Sequence, residues 1–563
     1  MRLRRSLFAT ALLPFIGMVA FAYPEHPITS PEITKADIAA RDKALADDSF
    51  EGRGPGAVGG EAAAQWIADE LKRIGVAPGS HGSYFQIVPT AVVTLDGAKS
   101  SLSIDTAAGA LPLSFPDHVV YWSPRYAKEN VKLDKSQLVF VGYGVVAPEY
   151  GWDDYAGVDV KGKTVVVLIN DPGNEDASPD AKFFKGREMT YYGRWTYKFE
   201  EAARHGAAAV LIVHETKPAA YGFGVVQSSN SGPISWLLTA DKNASQLAIR
   251  GWIDLETAQS LFTKAGLDYV ALKAAANKPG FKAVELQGET MTVDAHSTTK
   301  YVSTRNVVGF LRGAKRPGEA VLFSAHWDHL GIKPDIAGPD KIYNGALDNA
   351  MGVSMVLDIA EAIAHGNRPD RTVAFLFPTL EEQGLMGAEY FAKHPLWQLA
   401  NIAGDFNLDC DMPSAGTHDM VMPGNGQNAL DAYMIAALKA QGRTLSPDPT
   451  PEHGGYFRAD HFAFAKVGIP AVTPGGGSDF VVGGKEAAKA AAEDYVQNHY
   501  HKPTDEFNPA WDMTAPMQDT QAVYAAGLAL ANSTDWPTWG ATSEFRAARE
   551  ATLAKAHPPK AKK

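Results

Sequence analysis

The chain has 563 residues, 45% of them hydrophobic and 21% charged. That composition is ordinary for a globular protein, and the length exceeds what one core fills, so more than one domain is expected. A formal net charge of −12 argues against nucleic acid as the main partner, and a single cysteine, Cys410, excludes an intrachain disulfide.

At the N-terminus, Arg2, Arg4 and Arg5 precede an apolar run from Leu7 to Phe21 that ends Ala20-Phe21-Ala22. This is the layout of a secretory signal peptide, too short for a membrane span, so residues 1–22 are expected to be removed and the protein to be periplasmic or secreted. No later segment offers 18 uninterrupted apolar residues, so no membrane association is expected after cleavage. From Thr34 to Ile74 the pattern is mostly helical, with Ala64, Ile67, Leu71 and Ile74 spaced three or four apart. The intervening FEGRGPGAVGG at 50–60 lacks the Lys-Ser/Thr ending of a phosphate-binding loop and reads as a structural loop.

From Gly97 to Gly288 short strands and turns dominate, among them LVFVGYGVV at 138–146, TVVVLI at 164–169 and AAAVLIV at 207–213. None of the chemistry-bearing motifs falls there. From Arg305 strands and helices alternate. The run 349–365 is amphipathic, with Val353, Val356, Leu357, Ala360 and Ile363 on one stripe, and TVAFLFP at 372–378 reads as a strand buried on both faces. This alternation predicts an α/β fold with a mostly parallel central sheet flanked by helices. An apolar helix, Met517 to Leu530, closes the core, and the polar, basic tail from Ser543 is expected to be loosely ordered.

Chemistry concentrates between Ala325 and Asp411, in AHWDHLG, NGALDNAMG, PTLEEQGLMG and NLDCD, with NHYHKPTDE following at 498–506. His326 and Asp328 follow one strand, Glu381 and Glu382 another, and Asp409 a third. In open α/β sheets ligands bind outside the carboxyl ends of the strands, so these side chains are expected on one rim. Carboxylates and imidazoles are suitable zinc donors, and two zinc ions about 3.5–4 Å apart need several anionic ligands, one of them shared. Read singly, each residue has a plainer role. His-x-Asp is commonly a surface pair, Asp348 could cap a helix, and Glu381-Glu382 could start one. Cys410, between two aspartates at the end of an apolar run, reads as a small buried hydrophobe.

Taken together, HWDHLG, NGALDNAMG, EEQGLMGAEYF, NLDCDM and HYHKPTDE resemble the exported zinc peptidases of the bacterial leucyl aminopeptidase and glutamate carboxypeptidase family. The segments VFVGYG, DDYAGVDVKGKTVVVL and AARHGAAAVLIV resemble the protease-associated (PA) domain inserted in some of them. The resemblance implies a catalytic domain in two parts, 23–96 and 291–535, a β-rich insert at 97–290 that controls access, and a tail at 536–563. It implies two zinc ions per chain, with Asp348 shared, His326 and Asp409 completing one and Glu382 and His501 the other. Glu381 would be the general base, and Asp328 would orient His326 through its other ring nitrogen. Tyr456, in GGYFRADHFAF, would donate to the oxyanion, with Asp460 and His461 supporting; Ala459 replaces the family's Ser there. A cis bond between Asp348 and Asn349 is also implied. The implied activity is exopeptidase hydrolysis of peptide substrates by a metal-bridging hydroxide, of aminopeptidase type. A single-zinc glutaminyl-cyclase-like acyltransferase and a catalytically silent binding ectodomain are the competing readings. Substrate side chain, cleavage polarity, native metal and oligomeric state are left open.

Overall fold

The computed structural model describes residues 23–176 and 179–556. The expected signal peptide lies outside the described residues, as does the basic end from 557. Among the described residues no helix is long and apolar enough to cross a membrane.

The fold opens with helices α1 (Lys35–Leu45) and α2 (Val58–Arg73). Thr34 caps α1 by accepting from the Asp37 amide, and the apolar stripe expected on α2 is buried at Ala64, Ile67 and Leu71. Strands β1 (Phe85–Leu95), β2 (Asn130–Phe140), β3 (Thr164–Leu168), β4 (Ala209–Val213) and β5 (Ile249–Ile253) follow. Next come β6 (Val284–Leu311), β7 (Arg316–Ser324), helix α3 (Met351–His365), β8 (Arg371–Phe377), β9 (Ile402–Asn407), β10 (Ala471–Val472) and helix α4 (Thr514–Asn532).

Two sheet regions share β6, which is 28 residues long. Its C-terminal half runs antiparallel to β8 and β1, and beyond β8 the strands β7, β9 and β10 are mutually parallel, in the order β10-β9-β7-β8-β6. The central sheet is therefore mostly parallel, as its sequence texture predicts. All seven residues of β8 are buried, which is why its sequence shows no alternation. The N-terminal half of β6 pairs with β2, and β3, β4 and β5 continue in parallel from β2. This region has its own apolar core around Phe140, Leu211 and Phe262. The segment expected to be β-rich is thus itself α/β, with helices Trp195–Arg204 and Leu255–Lys264 beside its parallel strands.

The main core lies between the central sheet and helices α1, α2, α3 and α4. Helix α4 approaches the sheet at Gly527, where an added Cβ would stand 2.2 Å from Phe323. The C-terminal tail differs from expectation. Phe545 is buried with Tyr456 and Trp539, Trp539 donates to the Gly468 carbonyl at 2.9 Å, and Arg546–Ala556 is helical. Polarity was a poor guide there because three apolar or basic side chains, Trp539, Phe545 and Arg549, are enough to pin the segment.

Candidate metal centre

Parallel strands β7, β8 and β9 end side by side, so the residues just beyond them share one rim. His326 follows β7, Glu381 and Glu382 follow β8, and Asp409 follows β9. Asp348 reaches the same place from the irregular turn 346–350 that leads into α3; its bond to Asn349 is cis, as the resemblance implies. His501 arrives from a loop in left-handed backbone, φ 56°, and its ring stacks on Tyr500 at 3.9 Å.

These side chains converge. His326 Nε2 lies 3.4 Å from Asp348 Oδ1 and 3.4 Å from Asp409 Oδ1. His501 Nε2 lies 3.2 Å from Asp348 Oδ2 and 3.0 Å from Glu382 Oε2. The two oxygens of Asp348 thus face two different imidazoles, and the two halves of the cluster meet at that carboxylate. Glu381 is set slightly back, its Oε2 3.9 Å from His326 Nε2. Among the described residues, candidate donors fall within 4.8 Å of one another in three groups: His326 with Glu381 and Asp409; His329 with Asp348 and Glu382; Asp348 with Asp409 and Cys410.

The donor set fits divalent zinc, being imidazole nitrogens and carboxylate oxygens crowded together and partly shielded from water. His501 Nε2 is buried and has two acids within 3.2 Å, yet neither stands in hydrogen-bonding geometry, and His329 Nε2 is also unpartnered among the described residues. The buried carboxylates and the imidazoles beside them shift one another's proton affinities. Burial pulls His326 down, but Glu381, Asp409 and Asp348 outweigh it and hold it well above the ordinary range. His501 is likewise pushed up to about 10, burial being overcome by Glu382 and Asp348. Burial raises Asp348, but His326 and His501 hold it well below the usual carboxylate range. Glu381 and Glu382 diverge. Burial, Asp409 and Glu382 drive Glu381 well up against His326, whereas His329 and His501 draw Glu382 down to about 2 against burial and Asp348. Adjacent carboxylates with opposite shifts are suited to different roles.

Several assignments are refined by the geometry. Asp328 serves His326 through its main chain: the Asp328 carbonyl lies 3.1 Å from His326 Nδ1, while the carboxylate is 3.9 Å away and accepts the Glu381 amide at 3.1 Å. His499 turns away, with Nδ1 on the Thr504 carbonyl at 2.8 Å, so His501 is the histidine of that loop that faces the cluster. Tyr456 is fully buried and its hydroxyl donates to the Ala471 carbonyl at 3.2 Å, so that hydroxyl is engaged away from the candidate ligands. Asp460 and His461 are buried without hydrogen-bond partners among the described residues. Cys410 is half-buried rather than enclosed, beside Asp348 and Asp409, and burial pushes its thiol well up, away from nucleophilic reactivity.

On sequence grounds His329 competes with His326 and is set aside because His326 directly follows the strand and fits the motif; in the structure its Nδ1 lies 2.5 Å from Glu382 Oε1. It follows Asp328 directly, and the HxDH spacing was its only signal. Sequence reasoning passed over Arg53 and Asp505, which hold the backbone around Asp348. A cavity of about 250 Å³ lined by Lys185, Arg187, Asp448 and Tyr456 contains none of the candidate ligands.

Several known proteins are similar to parts of this chain. A glutamate carboxypeptidase 2 homolog of Caenorhabditis briggsae is 28% identical over 208 residues, covering 36% of this chain and 24% of the relative. A probable zinc metalloprotease of Pyrenophora tritici-repentis is 34% identical over 138 residues, 23% of this chain and 31% of the relative. The chain thus spans about a quarter to a third of the length of these curated relatives. Among solved structures, the aminopeptidase from Aneurinibacillus sp. strain AM-1 aligns over 88% of this chain and 93% of its own, at 18% identity and a TM-score of 0.48. Residues 306–525, which carry every candidate ligand, match the family model of Peptidase family M28.

Proposed function

We propose that the chain is an exported, zinc-dependent exopeptidase of aminopeptidase type that holds two zinc ions and hydrolyses peptide bonds. The observation that carries this reading is the placement of the Asp348 carboxylate between His326 and His501, one oxygen toward each imidazole. One zinc would be held by His326, Asp348 and Asp409, the other by Asp348, Glu382 and His501. When bound, zinc lowers the pKa of a coordinated water toward neutrality and polarises a carbonyl oxygen.

The protein's own groups divide the remaining work. Glu381, set back from the imidazole of His326, is placed to take a proton from water as a carboxylate and to return it to the leaving amine as a carboxylic acid. His329 fixes the rotamer of Glu382. The Asp328 carbonyl fixes the ring of His326, and its carboxylate fixes the main chain at Glu381. Tyr456 takes no part in this proposal, since its hydroxyl serves Ala471.

The segment 97–290 acts as a PA-like access domain. It is tied to the catalytic part by Arg187–Glu452 at 2.7 Å and Lys466–Glu200 at 2.8 Å and to the C-terminal tail by Lys185–Glu544 at 3.0 Å, and Ser235 donates to Gln383, next to Glu382. The test is a panel of amino-acyl anilides, amino-blocked dipeptides and free dipeptides, assayed with and without a chelator and paired with metal analysis. Chelator-sensitive cleavage of free-amine substrates alone, with two zinc ions per chain, is the expected result. Cleavage of the amino-blocked dipeptides would reverse the polarity. A single zinc with cyclisation of glutaminyl peptides would replace the reaction class.

A further inference from the structure

The turn that carries Asp348 cannot hold itself. Asp348 (φ −115°, ψ 89°) and Asn349 (φ −134°, ψ 39°) lie outside helical geometry, so the main chain from 344 to 350 lacks a regular ladder. Buried main-chain groups must nonetheless be paired, and here the partners are two charged side chains from distant parts of the sequence.

On the carbonyl side stands Arg53, 1% exposed. Its Nε donates to the Trp327 carbonyl at 2.9 Å, and Nη1 to the carbonyls of Leu45, at 2.9 Å, and Asn344. Its Nη2 donates to Gly345 at 2.7 Å and to Asp348 at 3.4 Å. A guanidinium has five N–H groups, and five carbonyls take them. Trp327 lies between His326 and Asp328, so one side chain grips both ligand-bearing loops. The Arg53 carbonyl in turn accepts the His329 amide at 3.2 Å. On the amide side stands Asp505, which accepts Leu347 N–H at 3.0 Å through Oδ1 and Asp348 N–H at 3.2 Å through Oδ2. Its own carbonyl accepts the Ala346 amide at 3.1 Å.

We infer that Arg53 and Asp505 form a two-sided clamp on the Asp348 turn and are positioning residues for the shared metal ligand. This rests on the two-metal reading above. A buried charge is a costly way to add stability, and an apolar side chain of similar volume commonly does as well. A guanidinium spread over five carbonyls, with no carboxylate in direct contact, instead fixes geometry. The shared carboxylate is where geometry matters most, because a shift that suits one half of the cluster spoils the other. Gly52 and Arg53 both occupy left-handed backbone, φ 68° and 49°, and a Cβ on Gly52 would stand 2.5 Å from the Tyr343 carbonyl. The Gly-rich loop at 50–60 thus lets the main chain come close enough for Arg53 to reach.

The experiment uses the full mature chain, stripped with a chelator and titrated with Zn²⁺ by calorimetry and with Co²⁺ by visible absorption. Arg53→Lys keeps the charge but presents its three donors from one atom and cannot span five carbonyls. Asp505→Asn keeps the shape and loses one acceptor. Expected are two equivalents bound by the unsubstituted protein, with the weaker one loosened about 10- to 100-fold in each variant and an altered cobalt spectrum. A purely structural role would lower the melting temperature and leave both equivalents and the spectrum unchanged, and that result overturns the clamp. If Arg53→Lys fails to fold, Asp505→Asn decides alone. Absence of metal binding by the unsubstituted protein would overturn the metal centre itself, a result distinct from failure of the clamp.

Discussion

Glu70 gives the sharpest quantitative test of how the core beside the candidate metal centre is held. Its side chain is fully buried on α2 and accepts from Arg41 Nε at 3.0 Å and from Arg73 Nε at 2.8 Å, with His26 Nδ1 at 2.9 Å. Arg41 reaches on to Asp358 and Glu361 of α3, the helix that begins just after Asp348. Burial alone would raise the Glu70 carboxyl, but Arg73, His26 and Arg41 outweigh it and lower it from 4.5 to about 2. A depressed folded-state pKa means that the stabilisation is complete above pH 4.5 and is lost as the pH falls toward 2. At about 1.36 kcal/mol per unit, the shift corresponds to roughly 3 kcal/mol at pH 7 and about 1 kcal/mol at pH 3. Glu70→Gln should therefore be destabilised most at neutral pH. The gap between it and the parent, measured by urea denaturation, should shrink by about 2 kcal/mol between pH 7 and pH 3. A gap that stays constant within about 0.5 kcal/mol across that range would refute the charge argument.

Glu381→Gln should retain its metal while turnover falls about 10²- to 10⁴-fold, the usual worth of a general base; turnover within tenfold of the parent would remove the assignment. Asp348→Ala should lose metal from both halves of the cluster, which elemental analysis of the purified variant reads directly. Phe323→Ala should cost about 3–5 kcal/mol in chemical denaturation, because Phe323 is fully buried between Phe375 and Phe406, with ring centroids at 6.0 and 5.6 Å.

The sequence by itself determined that the candidate residues share one rim. Buried parallel strands advertise themselves as short apolar runs, and the polar residues just past AVLFS, TVAFLF and IAGDFN have nowhere to go but the carboxyl edge of the sheet. His326, Glu381, Glu382 and Asp409 were legible for that reason. Asp348 and His501 were legible only through motif resemblance, since neither follows a strand, and only the folded loop separates His501 from His499. What tertiary structure alone decided is how the site is held. Arg53 and Asp505 act from roughly 300 and 150 residues away along the chain, through main-chain groups that exist at every position and leave no mark in side-chain pattern. The engagement of Tyr456 with Ala471, the pairing of His329 with Glu382 and the anchoring of the tail by Phe545 are contacts of the same kind. Local pattern records what a segment must bury, whereas the partner that meets it is chosen by packing between segments far apart in the chain.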